Sequence, residues 1–562
     1  MMTKIKNKAN SPIPEVFVCV GYKSVYDDYE TVDINKVIEG IPTMAILNFI
    51  VEQQDRVLYA FSDAATQRQQ IRDFVRYVPT KAKQRIWHFT RQNEKCLLYE
   101  SYGCTMAYGY ALQNFTPFDE DDDDIELCED EYERVFKLIL YCNQKWTDGQ
   151  AEGGVPKDLI EASIKIDLPI VEFKLHKDFK YQIYKAIPFF KFLESDTYYK
   201  QILPLFYADK KVTCWQEYIG RLFNFYAQSL KGRFIKVDTD DPGDNEFFRQ
   251  YSVDLKDCVE LSKDHNALNY LRDHFLIDCS NKNYMLLNAN LLVDKIYQGM
   301  RFDVYRTVEA HNILNKKGKK YNGYPDFSSC LGQDFSEPEL LYSLIQKTFG
   351  ANCSKLFMGE YLKSQGIEAE PDLYMRIGSV LYLFEFKDVT LGDRFKYSSD
   401  MTLVKKSICD RICLLDGEKR KGAGQLHHTI KAIFENHVMD GLDPDVSKVT
   451  DIVPIVVTTD RAFSAIGVQA LVVEEYNKYP KIQFGGFISV PIVIELDTMI
   501  DLSYRFNMGI LDFTNVIKDY MFNKYSNLQP FSTFIVDKYA RPGNVISSNE
   551  VKYLFAEIIK YM

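Results

Sequence analysis

The chain has 562 residues, a net charge of −11, and 46% hydrophobic and 14% aromatic residues. That length and apolar content suit about two to four domains with cores of their own, and exclude a disordered or fibrous chain. The longest apolar runs, such as Met44 to Val51 and Phe487 to Ile494, fall well short of the roughly 20 residues a membrane span needs.

The start, Met1 to Asn10, is basic and polar, and Val16 to Val20 is too short for the apolar stretch of a signal peptide. Twelve cysteines are scattered without a Cys-x-x-Cys; Cys409 and Cys413 are the closest pair. This spacing offers neither a zinc finger nor a disulfide framework. Many free thiols suit a reducing compartment. The expectation is a soluble, cytoplasmic, unprocessed protein with no membrane contact.

Four segments are expected. Residues 1–150 read as α+β, with Glu15 to Val20 as a strand and Pro42 to Val51 and Glu131 to Gln144 as helices. Asp119 to Glu133 holds eleven acids and no Lys or Arg, so the rest of the chain is close to neutral. The run is most simply a solvated loop. Charge complementarity also permits it to mimic DNA and cover a basic face. Residues 151–329 read as largely helical, with Cys214 to Leu230 a helix and Ile164 to Phe173 a strand. Soft boundaries fall at Thr147 to Gly154 and Asp238 to Asp244. Lone aromatics at helical spacing here read as core rather than base-stacking platforms. By elimination this is a region for recognition or partner binding. Lys316-Lys317-Gly318-Lys319-Lys320 then forms a linker, a DNA contact or both.

Residues 330–500 carry the chemistry. Ser336 to Ile345 reads as a helix, with Ser336 as N-cap and Pro338 in its first turn. Leu373 and Met375 read as one strand, Gly378-Ser379 as a turn, and Val380 to Phe384 as a second, nearly all-apolar strand. A strand of that kind is buried on both faces, yet Glu385 and Lys387 end it, two apart and hence on one side. Asp372 opens the partner strand, where a hairpin can set it opposite that end. Two carboxylates and an ammonium at the rim of a buried sheet suit a hard divalent cation such as Mg²⁺ with a phosphate. Gly424 to Ile430 follows as a helix, Ile452 to Thr458 as a strand, and Gly485 to Asp497 as a late strand with an edge or bulge at Pro491. Residues 501–562 read as a helical extension packing back on this domain.

Pro371-Asp372 followed by Glu385-Phe386-Lys387 resembles the signature of the PD-(D/E)XK nuclease superfamily over about residues 330–500. The resemblance implies an α/β restriction-endonuclease-like core, a mixed sheet flanked by helices, that hydrolyses DNA phosphodiesters with one or two Mg²⁺ ions, Mn²⁺ substituting. It implies Asp372, Glu385 and the Phe386 carbonyl as metal ligands, and Lys387 as the lysine that activates or orients the nucleophile. It also implies Gln425 as a residue positioning water or phosphate, and a helix carboxylate ahead of the hairpin. Glu337, with Leu340 and Leu341 three and four residues on, is preferred over Glu339, and Glu360 is a third candidate. A lone nuclease domain beside a large unassigned region is similar to arrangements in bacterial restriction and anti-phage systems, where a partner protein or a homodimer is expected.

From Lys387 to Lys431 there are ten Lys and Arg against six Asp and Glu. Lys419-Arg420-Lys421, just ahead of Gln425, is placed to meet a phosphate backbone or to form a solvated loop. The chain has its own decoys. Pro325-Asp326 and Pro444-Asp445 lack a Glu-x-Lys at useful spacing, and Glu172-Phe173-Lys174 has only Asp158 ahead of it, in a helical segment. His427 and His428 read as ordinary helix residues. No phosphate-binding Gly-x-x-x-x-Gly-Lys loop or dinucleotide fingerprint is present, so no nucleotide cofactor is expected. The alternatives are an inactive nuclease-fold module that binds nucleic acid or protein, and an interaction protein in which Glu385 and Lys387 are only a strand-end ion pair.

Overall fold

The computed structural model describes residues 18–59, 64–93, 95–117, 126–172, 177–231, 234–236, 241–263, 266–417, 419–523, 527–539 and 548–561. Residues 119–125 of the acidic run, Phe173 and Lys174, and Asp238 to Asp240 lie outside them. The chain divides into two compact units. One takes in Gly153–Val171 and Lys319–Lys552, the other Val16–Glu152, Glu172–Gly318 and Tyr553–Met562. These boundaries differ from those drawn at 150, 329 and 500. Among the described residues no helix is long and apolar enough to cross a membrane, and all twelve cysteines are free.

The first unit is mixed α/β. Its sheet is built from β1 (Lys355–Met358), β2 (Leu373–Ile377), β3 (Val380–Lys387), β4 (Asp451–Thr458), β5 (Phe487–Ile488) and β6 (Ile492–Glu495). β1, β2 and β3 run antiparallel in that order, β4 lies parallel to β3, and β5 and β6 both pair parallel with β4. The late strand is thus broken around Pro491, as a proline that cannot donate to a ladder requires. The β2–β3 turn is tight: Ile377 pairs with Val380, and Gly378 takes φ +60°, the positive value needed at the first position of a II′ hairpin turn.

Helices cover both faces, which explains the apolar run of β3. Leu381 and Leu383 of β3, Tyr374 of β2 and Ile452 and Val456 of β4 share one buried cluster with helical residues. These come from α1 (Leu159–Asp167), α4 (Met401–Ile412), α5 (Ala423–Glu435) and α6 (Val468–Tyr476). On the other face, Tyr382 meets Phe513 with ring centroids 5.0 Å apart, and Phe513 meets Phe349 at 4.9 Å. These come from α3 (Ser343–Phe349) and α8 (Phe513–Met521), with α7 (Leu496–Asn507) adding Phe506. Phe506 and Phe513, beyond residue 500, therefore belong to the sheet's own packing.

Two elements differ from expectation. Ile164 to Phe173 is not a strand. Asp158 caps α1 by accepting the Glu161 N–H at 2.8 Å, and the helix continues to Asp167 with Ile164 buried. A capped helical turn overrides the short-range strand pattern. Likewise Ser336 is no N-cap. A helix already runs from α2 (Gly323–Leu331) through a π-helical segment, Gly332–Tyr342, into α3. Pro338 lies inside that segment, and a wider turn is one way a helix carries a proline that cannot donate and would clash with the preceding turn.

The second unit is mainly helical, with Thr43–Tyr59, Glu129–Glu152 and Trp215–Ser229 among its helices. The helix Glu129–Glu152 ends within the soft boundary expected at Thr147 to Gly154, and the break between the units falls there, after Glu152. A parallel pair, Val18–Cys19 with Cys96–Leu97, and an antiparallel sheet of Phe234–Lys236, Asn283–Leu286 and Leu276–Asp278 complete it.

Its buried charges are balanced toward the cation. Asp303 is fully buried and meets Lys210 at 3.0 Å, Lys295 at 3.1 Å and Arg306 at 2.9 Å. Lys295 and Arg306 also hold Asp273. Burial opposes ionisation of Asp303, but the three cations outweigh it and keep its carboxyl below the usual range; Asp273 is lowered in the same way. A lowered folded-state pKa contributes stability in full above the unfolded value, about pH 4, and loses it as pH falls through the folded value. Asp303→Ala is expected to cost about 3–5 kcal/mol at pH 7, chiefly by leaving the buried Lys210 without its carboxylate. Urea unfolding at pH 7 and pH 3 should show that cost shrinking in acid.

Candidate active site

The hairpin register that pairs Leu373 with Phe384 carries Asp372 directly across from Glu385. Both then project from one sheet face, since alternate residues share a side. Lys387 lies two residues on, on the same face, with Thr458 of β4 as its register partner. Asp372 Oδ2 accepts the Phe386 N–H at 2.6 Å, which fixes the carboxylate at the mouth of the hairpin. Lys387 Nζ reaches Glu385 Oε1 at 2.5 Å. The second Glu385 oxygen is buried and has no hydrogen-bond partner.

Glu337 joins from the π-helical segment. Its carboxylate accepts from the Tyr342 hydroxyl, five residues on. In an α-helix of 3.6 residues per turn those positions stand about 140° apart. The π register brings them to one side, and such segments recur at functional sites. Glu337 interacts electrostatically with Asp372 and Lys387. Glu339 and Glu360 are exposed, and Glu360 also acts electrostatically on Glu337.

Three carboxylates therefore share one ammonium. Burial, then the charge of Asp372, pushes the Glu385 carboxyl up to about 8. Burial and Asp372 likewise push Glu337 up to about 7, and burial raises Asp372. Burial alone would lower the Lys387 ammonium, but Glu385 and Asp372 overrule it and raise it. This is the pattern of a site lacking positive charge.

These oxygens match a hard divalent cation in type, and the unpartnered Glu385 Oε2 is a donor with nothing to bind. Their present arrangement is not a formed metal cage. Among the described residues no group of three or more His, Cys, Asp or Glu is set to hold an ion. One oxygen each of Asp372, Glu385 and Glu337 is held by the Phe386 N–H, Lys387 and Tyr342.

The other expected residues stand apart. Gln425 lies in the first turn of α5, and its Oε1 accepts the Gly422 N–H at 3.1 Å. Among the described residues no hydrogen bond joins it to Asp372, Glu385 or Lys387. The glycines before it serve packing: a Cβ on Gly424 would lie 1.9 Å from the Leu414 carbonyl oxygen. Lys419 and Arg420 form one strand of a small hairpin with Leu415–Asp416, with Lys419 and Lys421 exposed. His427 is buried against the Pro480 carbonyl at 2.7 Å. The decoys have structural duties: Asp158 caps α1, Glu172 pairs with Arg272 at 3.1 Å, and Asp445 pairs with Lys448.

Sequence reading missed Tyr342, Ser336, Asp388 and Thr459. Ser336 Oγ donates to Asp388 at 2.6 Å, and Thr459 Oγ1 donates to its other oxygen at 2.8 Å. An acid immediately after the Glu-x-Lys was the available signal for Asp388. Nothing in an α-helical reading pairs Glu337 with Tyr342.

No family model, curated protein or solved structure matches this chain.

Glu337→Gln keeps an acceptor for Tyr342 and removes one of three crowded negative charges. Without divalent metal it is expected to unfold at or slightly above the wild-type temperature, which thermal melts in EDTA would read. A drop of several degrees would mean that Glu337 is held in place by favourable charge interactions instead.

Proposed function

We propose that this chain is a metal-dependent nuclease of PD-(D/E)XK type acting on DNA. The observation that carries the reading is the meeting of Asp372, Glu385, Lys387 and Glu337 at one end of a buried mixed sheet. Buried acids that outnumber the one lysine among them mark a candidate functional site.

Asp372 and Glu385, with the Phe386 carbonyl, would hold a Mg²⁺ ion, and Glu337 a second ion or its water. The bound metal supplies charge stabilisation for the phosphate in the transition state and lowers the pKa of attacking water. Lys387 then leaves Glu385 and turns its ammonium to the phosphate oxygen or to the water. Water attacks phosphorus and passes a proton to solvent, the P–O bond to the leaving sugar oxygen breaks, and the departing oxygen takes up a proton from solvent. Lys419 and Lys421, exposed at the approach to α5, contribute salt-sensitive affinity for the phosphate backbone.

A second reading is favoured by one observation. Glu385 is closed onto Lys387 and the carboxylates do not form a cage. On that reading the unit binds nucleic acid without cutting it.

Linear and supercoiled DNA, incubated with Mg²⁺, Mn²⁺ or EDTA, separate the two. Cleavage should need metal. It should vanish in Asp372→Ala and fall about 10²–10³-fold in Lys387→Ala, the range for losing one donor to the transition-state charge, while DNA binding persists. Wild-type cutting by Lys387→Ala would sink the assignment. Salt-dependent binding with no cutting in any metal would establish the second reading.

A further inference from the structure

Asp388 follows Lys387 directly, just past the end of β3. Its two oxygens accept from Ser336 Oγ at 2.6 Å and Thr459 Oγ1 at 2.8 Å. Ser336 precedes Glu337 and is fully buried. Thr459 follows Thr458, the register partner of Lys387. One carboxylate thus ties together the π-helical segment, the end of β3 and the end of β4, each at the residue beside a group of the site.

We infer that Asp388 is a positioning residue that fixes Glu337 over the Asp372–Glu385–Lys387 face. Its place beside the motif invites the reading of a further metal ligand. The hydroxyl donors on both oxygens assign it the other role. A carboxylate is suited to this because hydrogen bonds to an ionised acceptor are short and strong. The segment it holds also needs an outside hold. π turns are uncommon and brief, this one spans Gly332–Tyr342 with a proline inside, and only this register keeps Glu337 beside Tyr342. Asp388 therefore selects the helical register as well as the position of the carboxylate. Its bearing on metal rests on the nuclease reading; its hold on the segment does not.

The test has two arms on the full chain. Hydrogen–deuterium exchange over Gly332–Tyr342 reads the hold itself, and Asp388→Ala should speed it at least about tenfold. Calorimetric titration with Mn²⁺ reads its consequence. Loss of a partner that orients a ligand typically weakens metal binding about 10–100-fold. Added to Glu337→Gln, Asp388→Ala should weaken Mn²⁺ binding no further, because it acts through Glu337. Additive weakening in both backgrounds would make Asp388 a ligand or a general prop, and overturn the inference. Unchanged exchange would overturn it too. Should Asp388→Ala not fold, Ser336→Ala removes one of the two bonds and is read the same way. If wild type binds no Mn²⁺ while exchange still responds, the nuclease reading fails: the hold stands and the positioning role falls with that reading.

Discussion

Two carboxylates stand face to face across a hairpin, and much of the first unit is arranged around holding them there. Asp372 and Glu385 share a register position on adjacent strands, where side chains lie about 5 Å apart. In a poorly solvated environment two negative charges at that distance repel strongly. The Phe386 N–H, Lys387, Tyr342 and Asp388 each address part of the problem. The first anchors Asp372, the second half-neutralises Glu385, the third holds the approaching Glu337, and the fourth fixes the segment from which Glu337 comes.

Such a cluster is tolerable because it sits at the end of a strand whose other residues are wholly apolar and covered on both faces. Tyr382 packs at a tilt against the late helical residue Phe513, while Leu381 and Leu383 share a buried cluster with α5 and α6. A buried Arg376–Asp443 pair, with bonds of 2.6 and 2.8 Å and a third from Tyr374, ties the connection after α5 back to β2. The apolar sheet and its buried ion pair hold the hairpin rigid, so that strain at its charged end is not relieved by slippage of the register.

Two buried clusters, one in each unit, treat charge in opposite ways. Around Asp303 three cations face two carboxylates, and both acids are held below their usual range. Around Glu385 one cation faces three carboxylates, and all three acids are raised. The first network is satisfied within the protein. The second is completed only by positive charge from elsewhere, which is the electrostatic basis for the proposed metal site.

The hairpin, its turn and the side-by-side placement of Glu385 and Lys387 were determined by sequence alone. They depend on a two-residue period, a glycine turn and a register that the turn length fixes. The helix carrying Gln425 and the strand Ile452 to Thr458 were legible for the same reason: apolar periodicity is local. The choice of Glu337 over Glu339 rested on the spacing of Leu340 and Leu341; Glu337 is half-buried and Glu339 exposed, in a helix that is not of the kind expected. Other features belonged to the tertiary structure. The π register that sets Glu337 beside Tyr342, the recruitment of α1 and of residues beyond 500 to the sheet, and the meeting of Ser336 and Thr459 at Asp388 join residues far apart in the chain. Propensity and spacing describe a residue's neighbours in sequence. Which distant surface buries it, and which helical register that burial selects, is decided only when the layers pack.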